Sequence, residues 1–337
     1  MGSSKKIFYG WTVVLGSIIL MALGIGMFTS TNSVFVKPVC QSLGFARGQF
    51  TFYRTIVTLT SALLMPFFGK LIQRIGVKKL LFAGALMLGL VNIGYSFSTK
   101  LWHFYVLAFV NGAFVNGISF MSIGVLISAW FKGKKGLATG LAYSGSGLGG
   151  AIMIPAAANI IELAGWQWAY RFMGCLGIII LFPVIAVFIR NDPDELGLEP
   201  LPAEEEERRN KTDIIHNLTF QQAIGCRKFW MLTAAVFFIS LFASSTNTHS
   251  APYLSDLGYP TAFVSSVIAL FMFFLTIGKI ILGSVYDRFG TLAGNTVVSV
   301  FALGFPVFAL LSHIPVMPWI YAVFLGMASC GVSVPVS

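Results

Sequence analysis

Apolar runs of about 20 residues or more, separated by short polar loops, recur along almost the whole chain. Crossing the hydrocarbon core of a bilayer takes about 20 apolar residues in helical form. A backbone in lipid must satisfy its own polar groups, so only helices or closed barrels span it. The runs lack the strict alternation of barrel strands, so they read as helices. Ten are expected: Phe8–Val34, Gln49–Leu71, Lys79–Phe97, Trp102–Phe131, Gly136–Leu163, Trp168–Ile189, Phe229–Leu254, Ala262–Val285, Gly294–Leu311 and Met317–Ser337. The one long polar stretch, Asn191 to Lys228, carries Glu204–Glu207 followed by Arg208 and Arg209 and suits a solvated linker.

Composition agrees with an all-α membrane protein. Hydrophobic residues make up 56% of the 337 and charged residues 10%, against about 25% charged in soluble domains. The net charge of +10 does not form a nucleic-acid patch, because the basic residues lie in short loops. With the N-terminus in the cytosol, sixteen of the 22 Lys and Arg residues fall on the cytosolic side, four outside and two, Arg54 and Lys279, within helices. The positive-inside rule therefore places the N-terminus in the cytosol. Cys40, Cys175, Cys226 and Cys330 show no paired spacing, so neither metal nor disulfide framework is expected. No cofactor is called for, and a monomer in the plasma membrane is expected.

An internal repeat recurs at an offset of 214 residues. Leu43-Gly44-Phe45 matches Leu257-Gly258-Tyr259; Gly69, Arg74 and Gly76 match Gly283, Arg288 and Gly290; Gly112 and Gly117 match Gly326 and Gly331. The first copy is a six-helix half over residues 1–190, residues 191–228 are a cytoplasmic linker, and 229–337 hold four helices of a second half. Two six-helix halves related by parallel repeats are a transporter architecture, with the last two helices absent from this chain.

The loop Gly69-Lys70-Leu71-Ile72-Gln73-Arg74-Ile75-Gly76 and its counterpart Gly283-Ser284-Val285-Tyr286-Asp287-Arg288-Phe289-Gly290 resemble the gating signature of the major facilitator superfamily. The first copy has Gln73 where that family usually has Asp. Tyr9-Gly10-Trp11, Phe35-Val36-Lys37-Pro38 and the stretch from Ala129 to Ala142 are similar to the monocarboxylate transporter and oxalate–formate antiporter branch. The resemblance implies a secondary carrier of small organic anions working by alternating access. It also implies that the loop residues Gly69, Arg74, Gly76, Gly283, Asp287, Arg288 and Gly290 gate the motion and that the basic residue at Lys37 attracts anions. A cation at the position of Lys279 would pair with substrate carboxylate.

Other residues are singled out on physical grounds. A charge at the bilayer centre costs about 2.5–3.5 kcal/mol on insertion scales, which makes Arg54 and Lys279 functional candidates. Asn247, His249, Asn111 and Asn116 are candidate hydrogen-bond partners of a substrate. Gly145-Ser146-Gly147-Leu148-Gly149-Gly150 has the form of a dinucleotide-binding loop but follows no strand. Gly136, Gly140, Gly145 and Gly147 are read instead as close helix-packing positions.

No Asp or Glu occupies the middle of an expected helix. Proton-coupled members of the resembled branch carry an Asp where this chain has Leu275, so exchange or uniport of an anion is expected over Asp-dependent proton symport. A membrane enzyme is not supported: His103, His216, His249 and His313 are widely separated and lack carboxylate partners by spacing. A transporter-like sensor or an inactive truncated remnant is the rival reading.

Overall fold

In the computed structural model the described residues are 8–202 and 256–331, with 222, 225–227, 229–231, 233–234, 237–238, 240–241, 250 and 253–254 between them. Among these the chain is helical, with one isolated bridge between Phe131 and Leu201. Among the described residues, eight helical stretches are long and apolar enough to cross a membrane, and Met317–Cys330 is a shorter apolar helix. The expected seventh helix falls largely outside the described residues, as do Asn247 and His249.

The chain divides into two compact units, residues 1–132 with 141–201, and residues 133–140 with 202–337. The first unit holds α1 (Tyr9–Met21), a π-helical segment (Ala22–Met27), α2 (Asn32–Leu43), α3 (Arg47–Ile75), α4 (Val77–Tyr95), α5 (Leu101–Phe114), a 3-10 turn (Val115–Ile118), α6 (Phe120–Trp130), most of α7 (Lys135–Ala164) and α8 (Trp166–Phe188). The second holds α9 (Thr261–Leu310) and α10 (Met317–Cys330). In α9 Gly290 breaks helical geometry with φ 78° and ψ 179°, so that one element contains the expected eighth and ninth helices.

Two expected elements differ in kind from what is found. The first apolar segment does not end at Val34 but continues to Leu43, with a π-helical turn inside it. Pro38 is tolerated six residues past the start of α2 at Asn32. The fourth segment is not one helix: it ends at Phe114, passes through the 3-10 turn and restarts after Ser119, whose backbone is extended (φ −128°, ψ 167°).

Side-chain placement fits a lipid setting. On α3, Phe52, Leu59, Leu63 and Phe67 are exposed while Phe50, Tyr53, Thr60 and Phe68 are buried. In water such an apolar face would be a liability; in lipid it is the surface that the solvent favours. Inside the first unit, Phe35 stacks on Tyr170 with centroids 3.9 Å apart, and Tyr95 stacks on Phe104 at 5.6 Å. The second unit's core gathers Leu254, Val264, Val267, Phe271, Phe305, Tyr321 and Leu325, and the hydroxyls of Ser250 and Tyr321 share a hydrogen bond of 2.6 Å.

The repeat is visible as geometry. Gly44 and Gly258 both have positive φ, 70° and 86°, and Gly76 and Gly290 have 81° and 78°. Gly112 lies against the carbonyl oxygen of Val57, and Gly326 against that of Phe271; both members of the contact shift by the same 214 residues. Gly117 packs on Gly84, and Gly331 on Val298, again at that offset.

Candidate functional site

The first unit contains a cavity of about 320 Å³, at the lower end of the range for small-molecule sites. Four stretches of chain build it. From α3 come Tyr53, Arg54, Val57, Thr58 and Ser61. Arg54, Thr58 and Ser61 lie four and three residues apart and so share one helix face. From α5 and the break after it come Asn111, Val115, Asn116, Ser119 and Phe120. From the first apolar segment come Ile25, Phe28, Thr29 and Asn32. Leu88 of α4 completes the wall.

Three of the expected substrate residues, Arg54, Asn111 and Asn116, thus meet in one cavity. Its lining carries one cation and no acid, beside an apolar wall of Ile25, Phe28, Val57, Leu88, Val115 and Phe120. The polar groups are partly organised by each other. Tyr53 OH donates to Asn32 Oδ1 at 3.3 Å. Ser61 Oγ donates to Asn116 Oδ1 at 2.9 Å, and Asn116 Nδ2 donates to the Ser61 carbonyl at 2.9 Å. The Asn116 amide is therefore engaged at both ends.

The break in the fourth segment has its own capping. Ser119 is the N-cap of α6, its Oγ accepting from Ser122 N at 3.3 Å. The Asn116 carbonyl, freed by the interruption, accepts from Ser119 Oγ at 3.0 Å and Ser122 Oγ at 2.9 Å. Irregular backbone at membrane depth is tolerated where such groups are satisfied and the segment lines a cavity.

The second unit places Lys279 in α9, buried at 4% exposure, in electrostatic reach of the Cys330 thiol. A methyl group on Gly140 would meet the Lys279 carbonyl at 2.3 Å, and one on Gly136 would meet the Gly283 carbonyl at 2.3 Å. These glycines allow backbones to approach closely. At the same place Asp287 accepts from Gly136 N and Leu137 N, each at 2.7 Å, and so satisfies two of the orphan N–H groups at the start of α7. Arg74 and Arg288 are exposed. Gly69 lies on α3, where a methyl group would only touch Met121 at 3.4 Å.

The other expected packing positions resolve into a second contact. Methyl groups on Gly145 and Gly149 would meet the carbonyls of Ile18 and Ala22 at 2.1 and 2.0 Å, so α7 lies against α1 and the π segment here. Gly147 is buried, but the close approach runs through its neighbours. Lys37 is exposed on α2 and does not line the cavity. The sequence reading missed Asn32, Tyr53, Thr58, Ser61 and Ser119; the spacing of Thr58 and Ser61 from Arg54 was the available signal.

Known proteins resemble the chain along most of its length. It is 22% identical over 285 residues to the MFS-type transporter pytF of Aspergillus terreus, covering 84% of this chain and 91% of that protein. It is 23% identical over 319 residues to a probable hexose phosphate transport protein of Chlamydia muridarum, covering 89% and 70%. It is 25% identical over 254 residues to the oxalate:formate antiporter of Oxalobacter formigenes, covering 74% of this chain and 56% of that protein. Residues 11–337 match the family description of the Major Facilitator Superfamily. With its multiple apolar spans, its duplicated glycine geometry and this match over nearly all its length, the chain belongs to the Major Facilitator Superfamily of membrane transporters.

Proposed function

We propose that the protein is a secondary carrier of small organic anions, of the monocarboxylate or oxalate/formate type, that works by alternating access as an exchanger or uniporter. The observation that carries this reading is the first unit's cavity, whose lining holds the cation Arg54 and no acid. Arg54 is exposed on the cavity wall, and a guanidinium so placed favours a carboxylate and forms paired hydrogen bonds with it. The apolar wall suits a short hydrocarbon body. Two of the relatives have names that state a cargo, hexose phosphate and oxalate with formate; both cargoes are anions, which supports the class without choosing its member.

Lys279 supplies a second cation, this one buried, in α9. Its cost in lipid is reason to assign it a ligand or a path, and we assign it to the anion route. Lys37, exposed on α2, would concentrate anions at the outer face, and Asp287 with its paired N–H contacts would serve as a cytosolic latch. The N-terminus is assigned to the cytosol and the protein to the plasma membrane, on the loop charges.

The reading is tested with purified protein in proteoliposomes preloaded with unlabelled formate or oxalate. Counterflow of the labelled anion is expected, and Arg54→Glu should abolish it. Wild-type vesicles that exchange neither anion, nor lactate nor acetate, would overturn the assignment.

A further inference from the structure

Two of the long apolar segments that line the first unit's cavity, the first and the fourth, leave α-helical geometry on the cavity wall. The first does so at Ala22–Met27, as a π segment, and the fourth at Val115–Ser119, as a 3-10 turn followed by an extended residue. π segments and mid-helix 3-10 turns often mark functional sites. The two interruptions touch: a methyl group on Gly24 would meet Ile118 Cγ2 at 2.3 Å. Ile25, Phe28 and Thr29 on one side, and Val115, Asn116 and Ser119 on the other, line the cavity.

The fourth segment's interruption is tied to α3 by the two Asn116–Ser61 hydrogen bonds. The repeat carries the same tie. The residue 214 positions after Asn116 is Cys330, and the one 214 positions after Ser61 is Leu275. Cys330 Sγ lies 3.3 Å from the Leu275 carbonyl and 3.1 Å from the Gly326 carbonyl of its own helix. It fills the notch at Gly278, where a methyl group would meet Sγ at 2.4 Å, immediately beside Lys279. A side chain at one repeat position thus reaches a carbonyl at another in both units, although the chemistry has diverged from amide to thiol.

We propose that this repeat position is a positioning residue in each unit. Asn116 clamps the interrupted fourth segment to α3 and, through Ile118 and Gly24, sets the bend of the first segment, so that Arg54, Asn111 and Thr29 face one volume. Cys330 holds α10 to α9 beside Lys279. Neither acts as a ligand. That the wall so held receives an anion rests on the carrier reading above; the clamp and its reach to the first segment do not.

The test has two readouts on the purified full chain. In hydrogen exchange, Asn116→Asp, which removes the donor to the Ser61 carbonyl and keeps the acceptor, should speed exchange at residues 111–120 by about fivefold, the effect of one lost hydrogen bond, and Asn116→Ala, which removes both bonds, should speed it further. Exchange at residues 22–29 should rise with it, while residues 123–130 stay protected. Acceleration confined to 111–120, or none at all, would overturn the joint. In formate counterflow, Asn116→Ala should raise the half-saturating concentration about fivefold with the maximal rate kept. Cys330→Ala should do the same and Cys330→Ser, which keeps a donor, should not. A fall in maximal rate at unchanged half-saturation, or equal behaviour of the two Cys330 variants, would refute the positioning role. Absence of counterflow in the unsubstituted protein strikes the carrier reading alone, and exchange then decides the clamp.

Discussion

The carboxylate of Asp287 receives the backbone N–H of Gly136 on one oxygen and that of Leu137 on the other, each at 2.7 Å. The contact joins a residue of the duplicated loop Gly283–Gly290 to the first turn of α7. A negative charge at a helix N-terminus is stabilised by the unpaired N–H groups and the aligned peptide dipoles. Removing it with Asp287→Ala should cost roughly 1–2 kcal/mol, the usual scale for a lost cap. Asp287→Asn, which keeps one acceptor and loses the charge, should cost less than half of that. Thermal unfolding of the two variants in detergent checks the ranking; equal midpoints for Asp287→Ala and the unsubstituted protein would contradict it. If the contact is a latch in the transport cycle, the maximal counterflow rate should change more than the half-saturating concentration.

Arg54 and Lys279 are distinguishable by chemistry. Arg54 stands in a cavity with Asn111, Thr58 and Ser61, where on the proposed function its planar fork would bind a carboxylate through two hydrogen bonds. Arg54→Lys keeps the charge and loses the fork, so it should raise the half-saturating concentration about tenfold, with Arg54→Glu inactive. Lys279 is a compact charge, buried against α10 and Cys330. Lys279→Arg needs extra volume in a packed site and should lower stability as well as activity, by about 1–3 kcal/mol. Binding isotherms and thermal midpoints measured on the same preparations separate the two residues. A stable Lys279→Arg with unaltered transport would show that the site has room that the structure does not give it.

Much of this arrangement was legible because it depends on residues with few physical alternatives. A long apolar run has one way to cross lipid, and a cation inside such a run is conspicuous. The repeat was legible through glycines, since Gly44, Gly258, Gly76 and Gly290 all take backbone angles that other residues avoid. The interruptions were not legible. Ala22–Met27 is as apolar as the helix before it, Val115–Ser119 holds only Asn116, Gly117 and Ser119 as breaks in an apolar run, and the geometry of both follows from packing, Gly24 against Ile118 and Gly117 against Gly84, which no local pattern encodes. The end of the first segment differs as well: the apolar run weakens after Val34, but the helix carries on through Pro38 to Leu43. The engagement of Asn116 with Ser61 depended on the same hidden bend.

The positive-φ glycines make a sharper prediction than conservation of glycine alone. Gly44 has φ 70° and ψ 21°, ordinary left-handed helical angles, whereas Gly76 has φ 81° and ψ 157°. Asparagine visits the first region readily; the second is essentially reserved for glycine. Gly44→Asn should therefore leave the thermal midpoint nearly unchanged, while Gly76→Asn should cost about 1–3 kcal/mol. Gly258 and Gly290 in the second unit have the same signs of φ, and Gly290, with ψ 179°, should follow Gly76. Equal destabilisation at positions 44 and 76 would mean that side-chain space, and not backbone angle, sets the requirement.

Close packing of α7 against the first segment gives the last prediction. A methyl group at Gly145 would meet the Ile18 carbonyl at 2.1 Å and one at Gly149 the Ala22 carbonyl at 2.0 Å. Both obstacles are backbone, which moves only if a helix shifts. Gly145→Ala and Gly149→Ala should each lower stability by about 1–3 kcal/mol. The Gly149 variant should also disturb the cavity, because Ala22 opens the π segment that carries Ile25 toward Arg54. Gly48 is the internal control. It lies in α3 with nothing within 4 Å of an added methyl group, so Gly48→Ala should be neutral or stabilising by about 0.5–1 kcal/mol through the smaller entropy of the unfolded chain. Thermal midpoints of the three variants should fall in the order Gly48→Ala, then Gly145→Ala and Gly149→Ala together, with anion affinity reduced in Gly149→Ala more than in Gly145→Ala. A Gly149→Ala protein that unfolds with the midpoint of the unsubstituted chain would require α7 and the first segment to stand farther apart than these carbonyl distances allow.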